Sequence, residues 1–348
     1  MAGPLADADE TISTTGLNQI IEYEPRDLTV STEAGVPWRE LTAVLAKERQ
    51  MIPLDPPFAQ NATVGGVIAA NSSGPRRRLY GTARDLVIGM QFVTLQGKAI
   101  QSGGMVVKNV AGLDMGKLMI GSFGTLAAIA VVNFKVLPMP EVERSFLIAF
   151  PSADAAVAAR DRILTGPLQP AAIDLLNPQA GATLGNASWL LAIRAGGNAA
   201  AVDRYEREFG GIGDGMAFEG DRQDVLWQRI QEFTPAYLES HTDGAVVRIS
   251  CTLKETPAVM RAFEGPAIAR AGNGVCYGYF EQAAAADTWL RTVGGHEWRG
   301  VIEFSPPEAK DVIDLWPSPG PDFEIMRKVK HLFDPSYLLN RGRLYNRI

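Results

Sequence analysis

Glycine placement constrains this chain more than any other feature. The sequence holds 35 glycines in 348 residues, about 10% against a usual 7%. From Met51 to Gly124, Gly, Ser, Asn and Pro recur between short apolar stretches. Periodicity is weak there, which argues against long helices. A backbone this rich in glycine can turn tightly and approach a ligand with no Cβ in the way.

At about 150 residues per domain, 348 residues predict two domains with ample chain for a core. Hydrophobic residues make up 46% and charged residues 21%, a composition that excludes wholesale disorder. Lys plus Arg number 33 against 39 Asp plus Glu, a net charge of −6 that argues against a duplex nucleic-acid binder. Cys251 and Cys276 cannot build a disulfide framework or a thiolate metal cage, and they suit a reducing compartment. His241, His296 and His331 lie far apart in sequence, so no helical His-pair motif exists and no metal site is expected. Met1–Glu10 is acidic without an apolar run, and the longest apolar run, Leu126–Val132, is far short of a membrane span. The expected location is cytoplasmic, with any membrane association coming through a complex.

Leu28, Val30, Thr32 and Ala34 alternate with polar residues, which predicts a strand ended by Gly35. Pro37 then opens a helix whose Trp38, Leu41 and Leu45 share one face. Val87–Leu95 and Leu126–Leu137 read as strands, and Pro138 and Pro140 mark a boundary. This predicts domains at 1–140 and 141–348. In the second, strands at Phe146–Phe150, Ala171–Leu176 and Trp189–Ala195 and helices at Ala153–Leu164 and Ala199–Phe209 follow the order of a ferredoxin-like unit. Further strands are expected at Ala245–Cys251, Gly274–Phe280 and Gly300–Phe304, and a helix with Ile325, Met326, Val329 and Leu332 on one face stops at Asp334-Pro335. No internal repeat is visible. The fold class is α+β.

The segment Pro56–Gly74, PPFAQNATVGGVIAANSSG, carries the sharpest chemical signal. Gly65 and Gly66 permit a tight turn, and a short helix beginning at Val67 would offer free N–H groups as a cradle for phosphate or a polar ring edge. The competing reading is a tight turn in a packed core. No Gly-Lys-Ser/Thr or GxGxxG pattern is present. A second cluster, Gly121–Leu126 (GSFGTL), brackets Ser122 and Phe123 in a loop able to donate two N–H groups and a hydroxyl. Between them Lys108 and Asn109 could face an anion or stand in solvent.

ATVGGVIAANSSG, YGTARDLVIGM and VVKNVAGLDMGKLMIGSFGTL, closed by RKVKHLFDPSYLLNRGRLY, resemble the vanillyl-alcohol oxidase/PCMH flavoprotein family, most nearly its glycolate oxidase subunits. The resemblance spans about residues 16–345 and implies a PCMH-type FAD-binding domain followed by a ferredoxin-like cap. It implies noncovalent FAD and oxidation of 2-hydroxy acids such as glycolate inside a multi-subunit enzyme. The implied partners are a catalytic FAD-linked subunit and an iron–sulfur subunit, because two cysteines cannot ligate a cluster here. Residues matching the FAD lining are Ala62, Thr63, Val64, Gly65 and Gly66, then Asn71, Ser72, Ser73 and Gly74. Gly121, Ser122, Gly124, Thr125, Leu126 and Ile129 match the loop and strand along the nucleotide. No catalytic residue is assigned.

Four departures stand out. The family's Gly-rich first-lobe loop would precede Gly16–Glu33 and is not found, so the first lobe is expected to be incomplete. AGNGVCYGYF lacks the family's metal-binding histidines, Leu113 replaces a frequent Tyr, and Arg341 replaces the Pro of LNPGR. These features leave a self-sufficient 2-hydroxy acid dehydrogenase and a flavin-free structural subunit as alternatives. Arg76-Arg77-Arg78 reads as a solvated turn or an anion contact, and Arg248 as a carboxylate ligand or a surface ion pair.

Overall fold

The computed structural model describes residues 10–105, 114–213, 215–294, 298–345 and 348. Lys108, Asn109, Leu113 and His296 lie outside the described residues. In chain order the strands are β1 Ile20–Glu24, β2 Thr29–Glu33, β3 Gln50–Met51, β4 Val87–Val93, β5 Ala99–Gly103, β6 Ala128–Lys135, β7 Leu137–Pro138 and β8 Val142–Phe150. They continue as β9 Ala172–Leu176, β10 Trp189–Gly197, β11 Gly215–Phe218, β12 Ala245–Ser250, β13 Ala267–Arg270, β14 Val275–Phe280 and β15 Arg299–Phe304.

Two compact units form. Of the described residues, one holds 10–73, Tyr80–Met139 and Ser318–Ile348, and the other holds Gly74–Leu79 and Pro140–Pro317. The expected domains were continuous stretches meeting at residue 140. The units instead exchange two segments, because the C-terminal residues bury Phe333 and Lys330 in the first unit and the Arg77–Arg78 stretch packs in the second.

The glycine-rich unit is built on an antiparallel sheet of order β1-β2-β6-β4-β5. The helix Trp38–Lys47 starts after Pro37 and buries Trp38, Leu41 and Leu45. Trp38 meets Phe134 of β6 edge to face at 6.4 Å. Helices in the Gly-rich stretch are short, as the weak periodicity predicts: Val64–Ala69, Arg77–Tyr80, Ala83–Leu86 and Gly116–Met119.

The second unit is an eight-stranded antiparallel sheet of order β11-β8-β10-β9-β13-β14-β12-β15. Its first half, β8, helix Ala153–Thr165, β9, β10, helix Ala199–Phe209, β11, is the expected ferredoxin-like unit in full. The second half, β12, helix Thr256–Ala262, β13, β14, helix Ala283–Trp289, β15, has the same element order and the mirrored strand order. The halves join edge to edge through β9 and β13. A structural duplication is therefore present where the sequence shows no repeat. Two βαββαβ units need the same burial pattern, which many residue sets satisfy. Val247, Ile249, Cys276 and Ile302 lie in the apolar core with Val259 and Ala286 of the helices.

Candidate cofactor-binding site

Thr63 caps the helix Val64–Ala69, its Oγ1 accepting from Gly66 N–H at 3.2 Å. Val64 N–H donates to Val36 O (2.9 Å), Gly65 N–H to Ala34 O (2.7 Å) and Val67 N–H to Thr63 O (3.0 Å). The helix thus starts at Val64 rather than at the expected Val67, and the expected cradle of free N–H groups is absent. The donors of the first turn are spent joining the helix to the segment after β2. Gly65 permits that junction, since a Cβ there would lie 2.8 Å from Ala34 Cβ and 3.0 Å from Ala34 O. Gly66 differs. A Cβ there meets only Thr63 Oγ1, at 3.3 Å, and no positive φ is required.

The second loop docks on the other end of the same helix. Gly121 N–H donates to Ile68 O (3.1 Å) and Phe123 N–H to Ala69 O (2.9 Å). Gly121, Phe123 and Gly124 all have positive φ, at 80°, 53° and 70°, which folds the loop onto the helix. The two N–H groups expected to face a ligand are therefore used internally, and the hydroxyl is what remains. Among the described residues, Ser122 Oγ is buried with no partner, and so is Asn71 Oδ1. Asn71 has φ 48°, and a Cβ on Gly121 would lie 3.3 Å from Asn71 Cβ. Two orphaned polar atoms thus sit where the two Gly-rich segments meet. Buried polar groups are rarely left in this state unless something else satisfies them.

The remaining expected site residues divide by role. Ala62 O accepts from Trp38 N–H, Ser72 N–H bonds Val67 O, and Ser73 is buried. Val64, Leu126 and Ile129 place their side chains in the core, so they could serve a ligand only through the backbone. Thr125 Oγ1 turns inward to Ser122 O (2.7 Å). Gly74 belongs to the other compact unit.

The sequence reading missed the support beneath the second loop. Lys330, fully buried in the helix Phe323–Phe333, donates to Thr125 O (2.7 Å), Leu339 O (2.9 Å) and Asp334 Oδ2 (2.6 Å). Asp334 also accepts from Leu338 and Leu339 N–H, and Asn340 Nδ2 donates to Phe123 O at 2.7 Å. Arg341, in place of the family's Pro, is exposed and leaves that contact intact. Burial holds the Lys330 ammonium below its ordinary value against the pull of Asp334. Burial alone would raise the Asp334 carboxyl, but Lys330 and the two N–H groups outweigh it and leave it depressed. The charged carboxylate is therefore the form the fold favours. Its contribution is present above the ordinary value of 3.8 and is lost as pH falls through the lower folded value. Denaturant unfolding at a series of acidic pH values should show a drop in stability there, reduced in Asp334→Asn.

Two known domain families match segments of this chain. The FAD binding domain family matches residues 2–103, and the C-terminal domain of FAD linked oxidases matches residues 318–344. Glycolate oxidase subunit GlcE of Escherichia coli (strain K12) is 30% identical over 331 residues, 94% of this chain and 84% of that protein. The chain belongs to the FAD-linked oxidases of the vanillyl-alcohol oxidase/PCMH family. Glycolate oxidase subunit GlcD of Bacillus subtilis (strain 168) is 34% identical over 161 residues, 46% of this chain and 34% of that protein. Among solved structures, 4-ethylphenol oxidase from Gulosibacter chungangensis superposes with a TM-score of 0.70 at 16% identity, covering 94% of this chain and 78% of that one. An alkyldihydroxyacetonephosphate synthase gives a TM-score of 0.69 at 19% identity, covering 93% of this chain and 65% of that one. These two establish the fold.

FAD is the cofactor of this FAD-linked oxidase, and the residues present fit it. The open face of Gly66 and the unpartnered Asn71 Oδ1 and Ser122 Oγ offer space, an acceptor and a hydroxyl for a group rich in both donors and acceptors. Among the described residues no group of three or more His, Cys, Asp or Glu could hold a metal ion, and no helix is long and apolar enough to cross a membrane.

The long-sheet unit carries a second polar cluster. Arg248 Nε pairs with Glu303 Oε2 at 2.9 Å, so the ion-pair reading of Arg248 holds, but the pair is not isolated. Arg248 lies opposite Tyr277 in the β12–β14 register. The fully buried Asp174 pairs with Arg270, whose guanidinium lies 5.5 Å from the Tyr277 ring centre. With the Asn273 amide turned so that both its atoms are satisfied, its oxygen accepts from Arg77 Nε at 3.1 Å, and Arg78 donates to Pro170 O (2.8 Å) and Gln169 Oε1 (2.7 Å). Arg77 and Arg78 are thus packed rather than solvated. Burial lowers the Arg77 guanidinium and raises the Tyr277 hydroxyl, the latter reinforced by Glu303. Three guanidinium groups, Arg77, Arg248 and Arg270, interact electrostatically with Tyr277; among the described residues Arg248 is paired with Glu303 and Arg270 with Asp174.

Proposed function

We propose that this chain is the FAD-binding subunit of a glycolate oxidase-type complex that oxidises 2-hydroxy acids. The observation that carries this reading is the pair of buried, unpartnered polar atoms, Asn71 Oδ1 and Ser122 Oγ, where the two Gly-rich segments meet. Likeness to GlcE along 94% of the chain supports it. Bound FAD supplies two-electron acceptance. The chain's own part is to hold it: Gly66 leaves room, Asn71 and Ser122 bond it, and Lys330 with Asn340 fixes the loop that carries Ser122. Ala62–Gly66, Asn71–Ser73 and Gly121–Ile129 form the proposed cofactor-binding set. The flavin is noncovalent, and the partners are a catalytic FAD-linked subunit and an iron–sulfur subunit that receives the electrons.

The arginine cluster favours a second reading, in which the chain itself grips the hydroxy acid and acts alone. A positive, half-buried group of guanidiniums suits a small carboxylate. No histidine joins that cluster among the described residues: His241 stacks on Tyr237 at 4.1 Å and contacts Tyr237 O through Nδ1, and His331 is on the C-terminal helix. A general base must lie within hydrogen-bond reach of the proton it takes. We therefore expect the purified chain with FAD to turn over glycolate poorly with an artificial acceptor, and the co-expressed complex to turn it over well. Full turnover by the isolated chain would overturn the division of labour and select the second reading.

A further inference from the structure

Cys251 and Cys276 are the chain's two cysteines, and neither takes part in the site above. Cys276 lies on β14 opposite Ile249 of β12, and Cys251 follows the last residue of β12. Alternation along a strand puts Ile249 and Cys251 on one face and Arg248 on the other. The thiols therefore share the helix-covered face of the two strands that carry Arg248 and Tyr277. Their sulfurs are 3.9 Å apart. Cys276 is fully buried, whereas Cys251 is half-buried and stands where the strand ladder ends. Its N–H still donates to Gly274 O at 2.9 Å, which keeps the two segments side by side.

We propose that Cys251 and Cys276 form a redox pair that a hydroperoxide converts reversibly to an intramolecular disulfide. Cys251 is the attacking thiol and Cys276 the resolving one. The contact with Cys276 holds the Cys251 thiol below its ordinary value against burial and Glu255, aided by Thr256 and by the buried guanidinium of Arg160. The contact with Cys251 and burial push the Cys276 thiol well up. Arg160 is fixed beside them by Leu253 O (2.9 Å) and Ala271 O (3.3 Å).

In the first step the Cys251 thiolate attacks one peroxide oxygen. The O–O bond breaks, the leaving oxygen takes a proton, and Cys251 becomes a sulfenic acid. In the second, Cys276 Sγ attacks the Cys251 sulfur. The S–S bond forms, the S–O bond breaks, and the departing hydroxide leaves as water with the Cys276 proton. Two thiols lose two electrons and two protons, and the peroxide is reduced by the same two electrons. Burial of Cys276 protects it from direct attack, so Cys251 must react first.

The test treats the full chain, loaded with FAD, with hydrogen peroxide, then alkylates it in denaturant and maps its peptides. The expected result is loss of both free thiols, one linked peptide pair joining residues 251 and 276, and full recovery of the thiols with dithiothreitol. In Cys276→Ala, Cys251 should stop at a sulfenic acid trapped by dimedone, and in Cys251→Ala the Cys276 thiol should survive the treatment. Two intact thiols in the wild-type chain overturn the proposal, as does an oxidised Cys251 without the link or a disulfide between chains.

Discussion

Lys330→Met should cost the glycine-rich unit about 3–5 kcal/mol, the range for removing one partner of a buried ion pair. Lys330 is completely buried and serves three acceptors at once, Thr125 O, Leu339 O and Asp334 Oδ2. Methionine fills similar volume, so the change removes charge and donors and leaves packing nearly constant. Two carbonyls and a carboxylate then lose their donor away from water, and Asp334 keeps only the Leu338 and Leu339 N–H groups. The loop Gly121–Leu126 loses its anchor in the same event, so flavin retention should fall with stability. Urea unfolding monitored with and without FAD measures both. A loss below about 1 kcal/mol, the level of an exposed pair, would contradict this description of Lys330.

Gly65→Val and Gly66→Val should fail in different ways although the residues are adjacent. At Gly65 a Cβ would lie 2.8 Å from Ala34 Cβ and 3.0 Å from Ala34 O, so the helix must move off the segment after β2. Overpacking of this kind costs about 1–3 kcal/mol or more. At Gly66 the Cβ meets only Thr63 Oγ1, so the fold should tolerate valine with a small loss of helix stability. The branched side chain then occupies the space assigned to the cofactor, and the purified variant should carry almost no flavin. Visible absorbance and thermal unfolding of the two variants separate these outcomes. Normal flavin content in a folded Gly66→Val protein would remove Gly66 from the site.

Strands and helices of the long sheet were readable because β-branched runs and amphipathic spacing are local signals. Ala199–Phe209 is found at its expected bounds, and β12 ends one residue short of Cys251. The short helices among Met51–Gly124 follow equally from missing periodicity. Non-local pairing was not readable. The helix expected to start with free donors at Val67 starts at Val64, and the donors of Val64 and Gly65 are taken by Val36 O and Ala34 O, about 30 residues upstream. Lys330 and Asp334, at i and i+4, carry no local sign of burial. They are buried because Thr125, 205 residues away, comes to Lys330. The K-x-x-x-D spacing followed by Leu339-Asn340 was the only signal, and its chemistry emerges from the loop it supports. Likewise Arg77 and Arg270 are distant in sequence and share a cluster through the fold.

The central claim is that FAD is held at the junction of the two Gly-rich segments by Asn71 and Ser122. Its most direct test is calorimetric FAD titration of the apo-protein and of Asn71→Gly/Ser122→Ala, together with urea unfolding of both apo forms. Glycine keeps the positive φ of residue 71 accessible while deleting the acceptor. Both atoms lack partners among the described residues, so the double variant should unfold at nearly the wild-type denaturant concentration. Its FAD affinity should fall by about 10- to 100-fold, the worth of two lost hydrogen bonds. Equal FAD affinity in the two proteins, with both folded, would contradict the account.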